Sequence, residues 1–246
     1  MKRYPSFFIY TFLTLFLCIS VLNTANANTL SSPPKISFKE MRYGNDYINV
    51  NIKIPMLSYK DNLDVERRIN TILEGDIISF KNQVENTAKE AYEESKKDKF
   101  NFIPYEAFET YKVTYNNSKI LSIPVTFYTY TGGAHGNTIQ EPYNFDLETG
   151  EKLTLKDIFI EGSNYKNTIK EVIKSSIEEN PDIYFDDAIA TVDKLQDTQN
   201  FYITDDNLVI YYDLYELAPY SSGIREFSIP LYTFSSELNS KYSLTK

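Results

Sequence analysis

The sequence predicts an α+β fold of two packed sub-domains, each with a helix on an antiparallel sheet. Between Ile48 and Ile54, isoleucine and valine alternate with polar residues, which is the pattern of a strand with one buried face. Over residues 63–97, apolar residues recur every three or four positions, as in a long amphipathic helix. After Leu153 a second helical pattern is followed by short strands, so helices and strands are grouped and do not alternate.

The sequence predicts three further strands in the first sub-domain and a capped N-terminus for its long helix. The strands are expected around residues 108–115, 119–130 and 138–147, with turn signals at Asn116-Asn117-Ser118 and at residues 148–151. Three side chains are available to cap the long helix: Asp61, Asn62 and Asp64. Pro124 lies inside one of these strands. Because proline cannot donate a ladder hydrogen bond, it indicates an edge position or a bulge.

The second sub-domain begins near Leu153. Residues 164–179 carry an apolar stripe that includes Ile169 and Ile173 and predict a helix, and a second helical piece is expected over residues 184–195. Strands are expected at residues 200–204, 207–215 and 224–232, with Asp205-Asp206-Asn207 as the first turn.

The first 27 residues have the composition of a secretory signal peptide. Lys2 and Arg3 precede an apolar run over residues 7–22, and Ala25-Asn26-Ala27 supplies a small-residue cleavage site. The run is short for a membrane span, which needs about 20 residues, so an uncleaved anchor is the alternative. The expected division is a signal peptide (1–27), a linker (28–35), an N-terminal sub-domain (36–150) and a C-terminal sub-domain (151–246).

Charge and cysteine content narrow the classes of function. Asp and Glu number 34 against 25 Lys and Arg, for a formal charge of −9. This balance disfavours nucleic acid and anionic lipid as partners, and it either favours a cationic partner or keeps an exported protein soluble. Cys18 is the chain's one cysteine and lies in the predicted signal peptide, so no disulfide and no cysteine nucleophile are expected. The mature chain is expected to be secreted or to lie in the cell envelope.

No catalytic constellation can be assigned from the residues. His135 is the only histidine, which excludes a His-rich zinc site, and no G-x-S-x-G elbow is present. Residues 184–188 (YFDDA) are superficially similar to a metal-binding motif of polysaccharide deacetylases, but that chemistry also needs a histidine pair. The acidic pairs at 205–206 and at Asp146 and Glu148 lie at predicted turns, where local hydrogen bonding explains them. No cofactor, no metal and no enzyme activity are expected.

The segment TYTGGAHGNT, residues 129–138, combines three glycines with the lone histidine. The glycines are expected to supply positive-φ positions in a turn between two strands, and His135 is expected to hydrogen-bond within its own loop. Tyrosine is abundant, at 21 residues, and its rigid ring with a polar tip suits protein interfaces and sugar contacts. Two pairs are candidate contact residues: Tyr128 and Tyr130 before the loop, and Tyr215 and Tyr220 in YELAPYSSG. Half-buried strand tyrosines are the alternative interpretation.

Three segments together resemble a known family. YTYTGGAHGNT, the following NFDLETGEKLTLKDIF and the later YELAPYSSGIREFSIPL are similar to the two-part module of RsiV-like anti-sigma factor ectodomains and PdaC-type deacetylases, of the DUF4163 plus DUF3298 type. The resemblance covers about residues 36–235. It implies a non-catalytic module, which in the RsiV-like branch binds host lysozyme.

The resemblance therefore implies an exported recognition module that binds a lysozyme-like or other basic protein, or a cell-wall glycan. No anti-sigma segment precedes the apolar run and no deacetylase domain follows, so a free-standing module is expected, with a membrane as partner only through an uncleaved N-terminal segment. The expected ligand-binding residues are Tyr128, Tyr130, Gly132, Gly133, His135, Gly136, Asn137, Tyr215 and Tyr220. A polysaccharide-processing enzyme of the cell wall and an accessory structural protein of the envelope are the alternatives.

Overall fold

The computed structural model describes residues 32–244 and confirms the α+β fold. The predicted signal peptide, and residues 28–31 of the predicted linker, lie outside the described residues. None of the helices within residues 32–244 is long and apolar enough to cross a membrane. Two hydrophobic cores are present: one lies within the N-terminal half, and the other joins the C-terminal half to Ile120.

Six strands form the first sheet. They are β1 (Lys35–Gly44), β2 (Ile48–Ser58), β3 (Tyr105–Tyr111), β4 (Tyr115–Asn116), β5 (Ile120–Tyr130) and β6 (Asn137–Asp146). β5 is central: it pairs with β6 on one side, and on the other with β3 and then with the short β4. β2 and β1 continue the sheet beyond β3.

Helix α1 (Leu63–Asp98) packs on the inner face of this sheet. Its cap residue is Asn62, whose side chain accepts a hydrogen bond from Val65 N at 3.2 Å, and it ends at Lys99 in a left-handed conformation. The buried stripe of α1 shares one core with the alternate buried residues of β2, which confirms both periodic patterns. Because this long helix is the crossover between β2 and β3, the two strands run parallel. The expectation of an antiparallel sheet is wrong at this pair.

Two details of the first sheet depart from expectation. Strand β1 was not predicted, because most of its side chains are exposed and the sequence therefore lacks a clear alternation. Pro124 lies in the central strand, so the edge interpretation is wrong. Its carbonyl accepts a hydrogen bond from Lys112 N at 3.1 Å, in the gap between β3 and β4. The missing N–H of Pro124 thus falls where the ladder is already interrupted, which agrees with the alternative of a bulge.

The second core lies in the C-terminal half. Its elements are α2 (Tyr165–Glu179), α3 (Ala188–Val192), β7 (Phe201–Ile203), β8 (Asn207–Tyr212) and β9 (Arg225–Pro230), with the three strands antiparallel in that order. Ile169, Ile173 and Ile177 of α2 are buried in the same cluster as Ile210 and Phe227 of the sheet. Helix α3 is shorter than the predicted segment 184–195, because the chain bends and turns before Ala188.

A buried hydrogen-bond cluster joins the two sheets. Ser122 of β5 and Asn144 of β6 are 0% and 1% exposed and lie opposite each other in the ladder. Ser122 Oγ donates to Asn144 Oδ1 at 2.6 Å, and Asn144 Nδ2 donates to the carbonyl of Phe201 at 2.8 Å. The backbone N–H of Ile203 donates to Ser122 Oγ at 3.0 Å. Two side chains of the first sheet thus satisfy backbone groups of β7 in the second.

The second sub-domain also covers the outer edge of β6. Tyr211 Oη donates to the carbonyl of Gln140 at 2.9 Å, and Tyr220 Oη donates to the carbonyl of Gly136 at 2.7 Å. The carboxylate of Asp213 accepts a hydrogen bond from the backbone of Gln140. An edge strand left open would be a template for pairing with another chain. The contacts replace that pairing with side chains, and they fix the second sub-domain against the end of β6 that carries the glycine loop.

Glu109 is an ionisable group inside the first core. Its side chain is 1% exposed, and one carboxylate oxygen accepts a hydrogen bond from Lys53 N at 2.8 Å. The other oxygen has no hydrogen-bond partner within residues 32–244. Burial raises the pKa of Glu109 to about 7, and the hydrogen bond from Lys53 opposes this rise with a smaller effect. The ionised form is therefore disfavoured in the folded state.

Replacing Asn144 should weaken the joint between the sheets. We expect Asn144→Ala to lower the free energy of unfolding by about 2–3 kcal/mol, because the carbonyl of Phe201 and the hydroxyl of Ser122 both lose a buried partner. Urea denaturation measures the change. Asn167→Ala, at an exposed position of α2, is the matched control and should change stability by less than about 0.5 kcal/mol. Equal losses in the two variants would contradict this role for Asn144.

The buried carboxyl of Glu109 predicts a pH-dependent stability. Its folded pKa lies above the ordinary value of 4.5, so its stabilising effect is complete below about pH 4.5 and is lost as the pH rises through about 7. At pH 8 we expect the free energy of unfolding of Glu109→Gln to exceed that of the wild type by about 1–3 kcal/mol, as measured by urea denaturation. The difference should shrink toward pH 4.5. Glu106→Gln, an exposed position of the same strand, should show no such pH-dependent difference. Parallel pH profiles for wild type and Glu109→Gln would refute the assignment.

Candidate functional site

The glycine loop connects β5 to β6 over residues 131–136. It closes on the pair Thr129 and Asn137, which face each other in the ladder. Gly132 has a φ of 85°, so this position does require the left-handed conformation that glycine adopts freely. Gly133 and Gly136 do not have a positive φ, and the expectation is wrong for them.

Gly136 is required for a different reason, which is a close approach by an aromatic ring. A Cβ atom built on Gly136 would lie 2.3 Å from ring atoms of Tyr128. The backbone of Gly136 is buried, and Tyr128 is half-buried on β5, two residues before the end of that strand. The absence of a side chain at Gly136 therefore allows the hydroxyl end of the Tyr128 ring to contact the loop.

His135 stacks on a tyrosine of the second sub-domain. The rings of His135 and Tyr220 are 4.0 Å apart at their centroids, with an angle of 25° between their planes. His135 Nδ1 lies 2.9 Å from the carbonyl oxygen of Gly136, which also accepts the hydroxyl of Tyr220. Because a carbonyl oxygen can only accept, Nδ1 is the donor in this contact. The expected hydrogen bond of His135 within its own loop is confirmed.

Tyr215 completes an aromatic group at the surface. It adopts a left-handed φ of 67°, its ring lies 5.8 Å from that of Tyr220, and it is 57% exposed. Four side chains that the sequence placed in two separate segments are thus neighbours in the structure. We refer to Tyr128, His135, Tyr215 and Tyr220 as the aromatic loop surface.

The remaining predicted contact residues lie beside this group. Gly132, Gly133 and Asn137 are exposed on the loop and at the first position of β6. Tyr130 is half-buried and lies opposite Glu106 of β3, on the sheet face that points away from α1. Tyr130 therefore belongs to the sheet face and not to the stacked rings.

Three acidic residues near the aromatic loop surface were not singled out from the sequence. Asp213 and Glu216 lie in the same turn as Tyr215, and burial raises the pKa of Asp213 to about 6, with further increases from Glu216 and Glu141. The acids that flank Tyr215 are visible in the sequence, but the closeness of Glu141 depends on the packing against β6. Asp213 and Glu216 thus place acidic groups beside Tyr215.

The aromatic loop surface places exposed aromatic side chains beside acidic groups. Within residues 32–244, no hydrogen bond joins His135 to a carboxylate, and no group of three or more His, Cys, Asp or Glu side chains could hold a metal ion. Asp146 has a structural role: it accepts hydrogen bonds from Glu148 N at 2.7 Å and Lys241 Nζ at 2.5 Å. The pair at 205–206 lies in the turn between β7 and β8.

Two family models match consecutive parts of the chain. Residues 41–138 match the family model described as Deacetylase PdaC, and residues 156–232 match the family model described as a protein of unknown function, DUF3298. A DUF3298-family protein of Bacteroides fragilis has the same fold, with a TM-score of 0.65 and 18% identity over 87% of this chain and 97% of its own. The chain belongs to the family that joins a PdaC region to a DUF3298 region.

Two relatives from Bacillus subtilis give the context of the family. The anti-sigma-V factor RsiV is 27% identical over 88% of this chain and 77% of its own length. The peptidoglycan-N-acetylmuramic acid deacetylase PdaC is 30% identical over 48% of this chain, and the matched part is 26% of that enzyme. The family thus includes proteins connected with the cell envelope, and the relative matched over most of this chain is named as an anti-sigma factor and not as an enzyme.

The contact between Gly136 and Tyr128 can be tested by adding one methyl group. We expect Gly136→Ala to lower the free energy of unfolding by about 1–2 kcal/mol, because the Tyr128 ring must leave its position. Gly133→Ala is the matched control, since its Cβ would meet only the carbonyl of His135 at 3.7 Å, an ordinary contact. In the Tyr128→Ala background the cost of Gly136→Ala should disappear. An unchanged cost in that background would show that the ring is not the obstacle.

Proposed function

We propose that this protein is a non-catalytic recognition module of the cell envelope that binds a basic, lysozyme-like protein through the aromatic loop surface. The observation that carries the proposal is the convergence of His135, Tyr215 and Tyr220 into one exposed group built from both sub-domains. Tyrosine rings with polar tips are enriched at protein interfaces, where they bury a large area at a small cost in side-chain entropy.

Charge supports a basic partner. The chain has a formal charge of −9, and Asp213, Glu216 and Glu141 lie close enough for the last two to raise the pKa of Asp213. Carboxylates that repel one another gain free energy when a cationic side chain approaches, and a complementary field also accelerates the encounter. The resemblance to RsiV-like ectodomains implies the same partner.

Two further functions remain as alternatives. An enzyme acting on wall polysaccharide would need a pair of carboxylates, and the interactions of Asp146 with Lys241 and with Glu148 N give it a structural role instead. An accessory structural protein of the envelope would not need an exposed aromatic group. A cell-wall glycan is a second candidate ligand, favoured by a different surface that is described below.

The proposal is tested by titrating lysozyme into the purified protein in a calorimeter at about 50 and 300 mM salt. We expect saturable binding that weakens at the higher salt, because the partners carry opposite charge. His135→Ala should weaken binding about tenfold, through loss of the ring that stacks on Tyr220.

Tyr232→Ala is the matched control for this titration, since Tyr232 is 77% exposed but lies outside the aromatic loop surface, and it should bind as the wild type does. Circular dichroism checks that both variants fold. Absence of saturable binding at low salt would sink the proposal, and release of soluble products from peptidoglycan by the wild type would favour the enzyme.

A further inference from the structure

The outer face of the first sheet carries an open, ordered array of side chains. The second sub-domain covers this face near Ser122 and Asn144, and the face is exposed toward β1. Strand pairing places its side chains in two parallel rows: Arg42, Asn51, Phe108 and Tyr128 form one, and Gly44, Asn49, Glu106 and Tyr130 form the other. Each row crosses four strands and spans about 14 Å, since neighbouring strands are about 4.8 Å apart.

A recess opens above the β1, β2 and β3 ends of these rows. Its volume is about 510 Å³, and it is lined by side chains that include Arg42, Asn49, Glu106 and Phe108. Gly44 contributes to its depth, because a Cβ atom at that position would lie 2.6 Å from the side-chain oxygen of Asn49. The volume is within the usual range of small-molecule sites, about 300–1,000 Å³.

The polar side chains of this recess have no hydrogen-bond or ion-pair partner in the part of the chain that the structure describes. Among residues 32–244, no hydrogen bond or ion pair engages the side chains of Arg42, Asn49, Asn51 or Glu106. The opposite face of β1 differs, since there Lys39 pairs with Glu74 of α1 at 2.7 Å and Tyr43 donates to Glu85 of α1 at 3.0 Å. A guanidinium, two amides and a carboxylate are thus available together as donors and acceptors.

We propose that this face binds a neutral oligosaccharide. Phe108 is 37% exposed at the middle of its row and offers an apolar ring to the C–H face of a sugar, while the amides of Asn49 and Asn51 can pair with hydroxyl or acetamido groups. Convergent polar groups around an aromatic floor match a ligand that is apolar on its faces and polar at its rim.

The charges of the recess select against other ligand classes. Arg42 and Glu106 carry opposite charges on the same floor, so the site has no net charge for a nucleic acid or a basic protein to exploit. A purely apolar ligand would leave four polar side chains desolvated and unpaired, which costs free energy for each group. A ligand with both donors and acceptors and no net charge avoids these costs.

This inference rests on the proposed function only in treating the chain as a recognition module, since the recess and the aromatic loop surface use different residues. Tyr128 is the one side chain common to the row and to the loop. A protein partner at the loop and a saccharide on the sheet face can therefore be tested separately.

The test uses the purified full chain and two neutral probes, the β-1,4-linked tetramers of N-acetylglucosamine and of glucose. Binding is followed by ligand-observed NMR and calorimetry. We expect saturable binding of at least one tetramer, with a preference for the first if acetamido groups are read by the asparagines. Phe108→Ala and Asn51→Ala should each weaken binding at least fivefold. Arg42→Gln, at an exposed position, provides a further variant should Phe108→Ala fail to fold.

Two controls separate this site from the rest of the molecule. Phe38→Ala removes a ring that is 55% exposed on the same face but outside the recess, and His135→Ala alters the aromatic loop surface; both should bind the tetramer as the wild type does. Failure of both tetramers to bind, or equal binding by wild type, Asn51→Ala and Arg42→Gln, would overturn the inference. Lysozyme binding that survives Asn51→Ala but not His135→Ala would leave the proposed function intact in that event.

Discussion

The packing of the second sheet on the first depends on a buried pair, Ser122 and Asn144. The two hydrophobic cores are non-directional, so apolar burial alone tolerates small displacements between the sub-domains. Buried polar groups do not tolerate such displacements, because a buried group that loses its hydrogen-bond partner destabilises the fold by its full desolvation free energy. The bonds from this pair to the carbonyl of Phe201 and the N–H of Ile203 therefore hold the second sheet in a defined register against the first.

The aromatic loop surface follows from that position. When β7 is fixed against β5 and β6, the turn that carries Tyr215 and Tyr220 reaches the loop between those two strands, and the hydroxyl of Tyr220 can bond to the carbonyl of Gly136. Gly136 then has the Tyr128 ring where a Cβ atom would lie, while its carbonyl oxygen contacts both His135 and Tyr220. The loop sequence thus reflects packing between sub-domains as much as turn geometry.

The elements that the sequence predicts correctly are those whose apolar residues recur with a regular period. The sequence predicts the long helix and β2 because each buries one regular face. It does not predict β1, because an exposed edge strand has no such pattern. Alternation placed Tyr128 and Tyr130 on one face, but it could not show that Tyr128 meets Gly136 while Tyr130 lies opposite Glu106. Such contacts depend on strand order and on the packing of the second sub-domain, which involve residues distant in sequence. The parallel pairing of β2 with β3 was missed for the same reason.

The proposed binding surface is assembled from both sub-domains, so recognition there would be linked to the stability of their joint. His135 belongs to the first half and Tyr215 and Tyr220 to the second, so a partner that contacts all three binds only the closed arrangement. By mass action such a partner stabilises the joint, and any loosening of the joint reduces the fraction of molecules able to bind. The sheet face lies within the first sub-domain, so the saccharide proposed to bind there would have no such requirement. Weakening the Ser122 and Asn144 cluster should therefore affect the aromatic loop surface before it affects the sheet face.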